Sequence, residues 1–273
     1  LCIKFYFTTV ISTSTAHKKH KKFKLLKRDV FGHIVPLKKV LISFIGLLTF
    51  PRLSWINKTN IRGMEHLKNL PANKVLFVSN HQTYFADVIT LMHIFSSNKW
   101  NFKNKIKNPI YLLNPKIDTY FVAAEETMKS GIIPKIFAYA GSVSIKRTWR
   151  TNGQDVYRQV DMNDISNIGD ALDNGWVITF PQGTTKAFAP GRRGTAHLIK
   201  KYKPVVVPVS INGFRRAFDK KGLLLKKKGV TLEVTIKSPL SIDYEAAPDD
   251  ILEQVMHAIE QSDAYKNKVT TRS

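Results

Sequence analysis

The residues best suited to chemistry are His81 and Asp87, in the stretch VLFVSNHQTYFADV from Val75 to Val88. The apolar run ends in Asn80 and His81, where a strand would give way to a helix, and in α/β sheets ligands bind at the carboxyl ends of strands. A neutral imidazole whose far nitrogen is held by a carboxylate is a general base suited to neutral pH, worth typically ~10²–10⁴ in rate. Asp87 is the nearest carboxylate downstream. Six positions on an ideal helix lie about 240° apart around its axis. Contact therefore requires His81 to sit in the loop before the helix that carries Asp87. The plainer reading is that both residues only cap that helix.

Two further stretches place basic groups after apolar runs. AGSVSIKR ends in Lys146 and Arg147, and VITFPQGTTKAFAPGRRG runs from one such strand into a loop dense in Gly, Pro and Arg. Glycine and proline let a backbone turn sharply and expose its N–H groups, and guanidinium groups grip phosphate in a bidentate way. Arg147, Arg192 and Arg193 are thus candidate phosphate ligands. Taken singly, each is more often a solvated surface charge. The chain has no GxSxG elbow, and its single cysteine, Cys2, excludes a cysteine-based zinc site, a disulfide framework and a CxxC pair. There is no HExxH, no GxGxxG and no phosphate-binding GxxxxGKS/T. His197 reads as a packed or surface histidine. No metal and no permanently bound cofactor are expected.

In order, the blocks NHQTYFAD, GSVSIKR, FPQGTT and VVVPVSING resemble those of the glycerolipid acyltransferase family, the type that acylates lysophosphatidic acid, across roughly residues 55–245. The resemblance implies transfer of a fatty acyl group from acyl-CoA or acyl carrier protein to the hydroxyl of a lysophospholipid such as 1-acyl-glycerol-3-phosphate, in membrane phospholipid synthesis, without a covalent acyl-enzyme. It implies that His81 deprotonates the acceptor hydroxyl, that Asp87 orients it, and that Arg147 contacts the acceptor phosphate. Lys146, Gln182, Gly183, Thr184, Thr185, Arg192 and Arg193 complete the expected headgroup site, with Gly183 the point of close backbone approach. Val207, Pro208 and Val209 are implied as structural support for the acyl-binding side.

Three departures stand out. Five residues separate His81 from Asp87 where the family has four, Gln182 replaces a glutamate, and Thr185 replaces the loop arginine. Lys186, Arg192 or Arg193 could supply the missing charge. Alternatively the acceptor carries no phosphate, as in a lyso-amino-acid lipid. The same departures motivate a third reading, a membrane-associated relative without activity.

The elements needed to position these residues are those of an α/β fold, a mainly parallel sheet flanked by helices. Strands are expected at 74–79, 119–123, 142–145, 177–180, 205–211 and 230–236, and helices near 84–95, 127–140, 164–173, 194–202 and 249–261. Residues 98–116, rich in Lys and Asn, read as an inserted surface loop. The expected organisation is a basic tail and apolar membrane-interface segment (1–56), an acyltransferase domain (57–265) and a polar tail (266–273).

Lys and Arg number 43 against 20 Asp and Glu, a formal net charge of +23, which calls for a polyanionic partner. HKKHKKFKLLKR, residues 17–28, suits an anionic membrane surface. The uncharged run from Val40 to Phe50 is too short to span a bilayer, which takes about 20 residues. Trp55 suits the headgroup boundary. Residues 1–16 lack the basic lead and cleavage site of a signal peptide. The expected location is the cytoplasmic face of the cell membrane, peripheral or monotopic. The partners expected are an anionic membrane surface, a lysolipid acceptor and an acyl thioester donor, which includes acyl carrier protein. A basic nucleic-acid-binding protein is the competing reading, but no helix-turn-helix, RRM signature or zinc pattern supports it, and nucleic acid is not expected.

Overall fold

A computed structural model describes residues 27–106, 108–129, 131–146, 150–151, 154–155 and 162–270. In chain order the elements are α1 (Val35–Ser54), β1 (Lys58–Arg62), β2 (Val75–Ser79), α2 (Ala86–Lys99), β3 (Thr119–Ala124), α3 (Glu125–Lys129), α4 (Ile132–Gly141), β4 (Ser142–Ile145), the ribbon β5 (Arg150–Thr151) and β6 (Gln154–Asp155), α5 (Met162–Asn174), β7 (Trp176–Thr179), α6 (Arg193–Tyr202), β8 (Val205–Asn212), α7 (Phe214–Ala217), β9 (Thr231–Ile236), α8 (Pro248–Ala258) and α9 (Asp263–Thr270). Most of the basic block at 17–28 lies outside the described residues.

Seven strands form one sheet in the order β1-β9-β8-β2-β7-β3-β4. Neighbours are parallel except β8 with β9. The central strands β2 and β7 bury every residue, as strands covered on both faces must. Alternation then divides the core in two. Val75 and Phe77 face the layer of α1, α2 and α4, while Leu76 and Val78 face that of α5, α6 and α8. The result is the expected α/β arrangement, with the carboxyl ends of β2, β7, β3 and β4 aligned along one edge.

Three local expectations change. Residues 98–116 are no simple surface loop: Ile106, Tyr111 and Leu112 are buried, and a 3-10 turn at Pro109–Leu113 packs between α1 and α2. Isolated apolar residues in a polar segment carry no periodicity, so their burial leaves no pattern in the sequence. The helix expected at 127–140 divides into α3 and α4, with Gly131 between them at φ 133°, outside any helical region. β1, with the mixed sequence KTNIR, forms an edge strand because β9 offers it a parallel partner.

Helix α1 is apolar on two sides. Ile42, Gly46, Phe50 and Leu53 pack inward, whereas Val40, Phe44, Leu47 and Leu48 are exposed. Its start is pinned by Lys38, which is 1% exposed: Nζ donates to Asp29 at 2.9 Å and lies 4.4 Å above the Tyr120 ring. Burial pulls the Lys38 amine below its ordinary value, against the charge of Asp29. Among the described residues no helix is long and apolar enough to cross a membrane.

Between α1 and α2 lies a buried polar chain. Thr49 Oγ1 donates to the Ile45 carbonyl and so accepts from His93 Nε2 at 2.9 Å, while His93 Nδ1 accepts from the Tyr111 hydroxyl at 2.8 Å. This arrangement accommodates a neutral imidazole, which burial favours, pushing His93 down to about 4 from 6.5. Between those values the unfolded chain takes up a proton that the folded one does not. Stability is therefore full above about pH 6.5 and falls as the pH drops toward 4, by about 3 kcal/mol from this group. The His93 ring should titrate near pH 4 by NMR, and His93→Gln should flatten that part of the stability curve. A ring that titrates near its ordinary value would contradict this account.

Candidate functional site

The loop between β2 and α2 puts His81 and Asp87 in contact. Asp87 sits in the first turn of α2, fully buried, and its carboxylate reaches back across the loop. Oδ2 accepts from the Gln82 N–H at 2.6 Å, the Thr83 N–H at 3.0 Å and His81 Nδ1 at 2.9 Å; Oδ1 accepts from the Thr83 hydroxyl at 2.7 Å. The helix N-terminus favours the negative charge. The five-residue interval is absorbed by this loop, so the lengthened spacing does not separate the pair. His81 is 13% exposed, and with Nδ1 donating, Nε2 keeps its lone pair. Phe180 stacks on the imidazole with ring centroids 3.9 Å apart and planes at 20°, which fixes the ring and shields one face.

Asn80 holds the strand end in place. Its amide donates to the Ile211 carbonyl at 2.9 Å and accepts from the Ile211 N–H at 2.7 Å, continuing the β2–β8 ladder where the backbone leaves it. Gln82 turns the same way: its oxygen accepts from the Phe214 N–H at 2.9 Å, at the start of α7.

A cavity of about 940 Å³ opens at the carboxyl ends of the parallel strands. His81 and Phe180 form part of its wall, Phe121 to Ala124 of β3 and Ile145 of β4 part of its floor, and Gly183 to Pro190 one rim. Its charged lining consists of Lys186, Arg192, Lys220 and Lys266, with no carboxylate among the described residues. The site therefore joins an apolar slot, an oriented imidazole and a positive rim. It can bind an amphiphile with an anionic end and take a proton from it.

A family model described as Acyltransferase matches residues 58–212, from β1 to the end of β8. The chain belongs to the acyltransferase family. Among solved structures it is similar to the 1-acyl-sn-glycerophosphate (LPA) acyltransferase PlsC from Thermotoga maritima, at 16% identity and a TM-score of 0.48, over 82% of this chain and 77% of that one. No curated protein matches the chain.

In this acyltransferase the expected headgroup residues separate. Thr184, Thr185 and Arg192 line the cavity, with Gly183 at φ 62° turning the loop toward it. The Gly183 N–H itself donates to the Phe180 carbonyl at 2.9 Å, which closes the turn. Arg193 is not in the cavity: its guanidinium forms a bidentate pair with Asp249 at 2.7 and 2.6 Å, because it begins α6 and faces α8. Lys146 is exposed at the end of β4, its N–H donating to Asp164, and does not line the cavity. Arg147 lies outside the described residues. Val207, Pro208 and Val209 are buried in the sheet and do not reach the cavity.

Gln182 also turns away, into the protein. Its amide donates to the Ala189 carbonyl at 2.9 Å and to Gln261 Oε1 at 3.2 Å, and the Phe188 N–H donates to that same oxygen. Two acceptors face this position, so an amide fits where a carboxylate would not. The sequence reading missed Arg215. Its guanidinium donates to the His81 carbonyl at 3.2 Å and to the Thr185 carbonyl, joining the histidine loop to the loop after β7. Burial lowers the Arg215 pKa, partly offset by the charge of Asp87. The available signal was the Arg-Arg pair that follows Phe214, one residue past the fourth block.

Gln182→Glu should cost about 1–3 kcal/mol at neutral pH, as a carboxylate set against acceptors, and less as the pH falls and the acid regains a proton to donate; melting temperature against pH checks this. Arg215→Ala should lower kcat at least about tenfold while changing KM little, and Arg215→Lys, able to reach one carbonyl, should recover part of it. An unaltered kcat in Arg215→Ala would count against the link between the two loops.

Proposed function

We propose that the protein transfers a fatty acyl group from acyl-CoA or acyl carrier protein to the hydroxyl of a lysophospholipid with an anionic headgroup, such as 1-acyl-glycerol-3-phosphate. The observation that carries this reading is the hydrogen-bonded His81–Asp87 pair at the wall of a cavity whose charged lining is cationic. His81 Nε2 removes the acceptor's hydroxyl proton as the oxygen attacks the thioester carbonyl. The resulting imidazolium is stabilised by Asp87 and returns the proton to the departing thiolate as the tetrahedral intermediate collapses. The ester forms, the thioester breaks, and no acyl-enzyme intervenes. Lys186 and Arg192 receive the anionic headgroup in place of the arginine absent at Thr185.

The acceptor is a membrane lipid, and the proposed location follows from that. The outward face of α1, with Val40, Phe44, Leu47 and Leu48 exposed, supports a place in the bilayer interface, and the basic block at 17–28 precedes this helix in the sequence. The net charge of +23 favours the anionic cytoplasmic leaflet.

Purified protein, assayed with both acyl donors against lysolipids differing in headgroup, tests the reading. His81→Ala should abolish transfer with little change in stability, and Asp87→Asn should lower kcat by about 10²-fold or more. Combined loss of Lys186 and Arg192 should raise KM for a phosphate-bearing acceptor and leave a neutral one unaffected. Turnover retained in His81→Ala would sink the mechanism.

A further inference from the structure

Between α7 and β9 the chain runs DKKGLLLKKKG, from Asp219 to Gly229. Its shape is imposed locally. The Asp219 carboxylate accepts from the N–H groups of Leu223 and Leu224 at 2.8 and 2.9 Å, and Phe218 forms an isolated bridge with Leu225. Leu224 is thereby held outward and is 68% exposed. Around it stand five lysines, Lys220, Lys221, Lys226, Lys227 and Lys228, against one acid, Asp219, whose oxygen is already occupied. A fixed leucine presented among cations matches an anionic lipid surface, which offers an apolar interior beneath a layer of phosphates.

The loop is continuous with two other parts of the molecule. On one side Arg52 of α1 donates to the Leu223 carbonyl, and the Gly229 N–H donates to the Ile56 carbonyl at 2.9 Å. Gly222 and Leu223 close an apolar groove of about 250 Å³ with Phe44 and Leu48 of α1 and Ile133 of α4. On the other side the Tyr84 and Phe85 N–H groups donate to the carbonyls of Lys220 and Lys221, at 3.1 and 2.9 Å. Gly222 presses so closely on this catalytic loop that a Cβ there would lie 2.6 Å from the Ala86 nitrogen. Lys220 itself lines the catalytic cavity, its amine 5.8 Å above the Tyr84 ring.

We propose that residues 219–229 are a lipid-docking loop. Leu224 enters the acyl region of an anionic bilayer, Lys227 and Lys228 meet its phosphates, and the attachment to residues 84–86 sets the mouth of the catalytic cavity at headgroup level. Only the kinetic consequence rests on the proposed acyl transfer; the docking stands on the loop alone.

The test uses the full chain and the variant Leu224→Ser/Lys227→Glu/Lys228→Glu, none of whose changed residues belongs to the cavity, with Lys227→Gln/Lys228→Gln as a milder second variant. Co-sedimentation with phosphatidylcholine vesicles, with and without phosphatidylglycerol, reads the docking. Loss of two lysines at about 1 kcal/mol each should weaken binding to the anionic vesicles about thirtyfold. Transfer to a vesicle-embedded acceptor should fall, while transfer to a short-chain, freely soluble acceptor stays unchanged. Vesicle binding equal to that of the unmodified protein in both variants would overturn the proposal, as would lost binding to a single-stranded oligonucleotide with vesicle binding intact. If the unmodified protein acylates neither acceptor, the proposed function fails, and the sedimentation result still decides the docking.

Discussion

The Asp87 carboxylate organises this molecule. Buried completely at the start of α2, it would be costly if left without partners, and it collects four: two backbone N–H groups, the Thr83 hydroxyl and His81 Nδ1. Those bonds fold residues 81–85 into one shape, which in turn faces His81 toward the cavity. Removing the carboxylate would release the loop as well as the histidine. The orientation of His81 and the order of its loop thus share a single charged group.

Around that group, later parts of the chain close in. Asn80 and Gln82 fasten the His81 loop to β8 and α7, and Arg215 returns from α7 to hold the His81 and Thr185 carbonyls together. Phe180 completes the enclosure from the end of β7. Strands that are adjacent in the parallel sheet but far apart in sequence thereby place their terminal loops within one hydrogen bond of each other. Thr185 has no guanidinium of its own, and the one that bonds its carbonyl comes from about thirty residues further along the chain.

Two surfaces of unlike character meet at this edge of the sheet. The cavity beside His81 is rimmed by cations, while α1 and the loop after α7 present leucine, valine and phenylalanine outward. An amphiphile with an anionic end matches both together. A helix apolar on two sides cannot bury both against its own domain, so α1 packs with Ile42, Phe50 and Leu53 and leaves Phe44 and Leu48 exposed.

The sequence by itself determined the architecture and singled out His81 and Asp87. Runs such as VLFVS and WVIT admit little but buried parallel strands, because their apolar character is continuous. His81, following such a strand, had to lie at its carboxyl end. Tertiary structure alone decided the fate of the charges. Arg192 and Arg193 are neighbours of the same type, yet one lines the cavity and the other pairs with Asp249 on a helix that begins more than fifty residues later. Gln182, which looked like a ligand, serves the interior, and Arg215, which the sequence reading passed over, joins the His81 and Thr185 carbonyls. Burial in a continuous strand is written into local composition, whereas the partner of a charged or amide side chain depends on which distant segments the sheet brings alongside it.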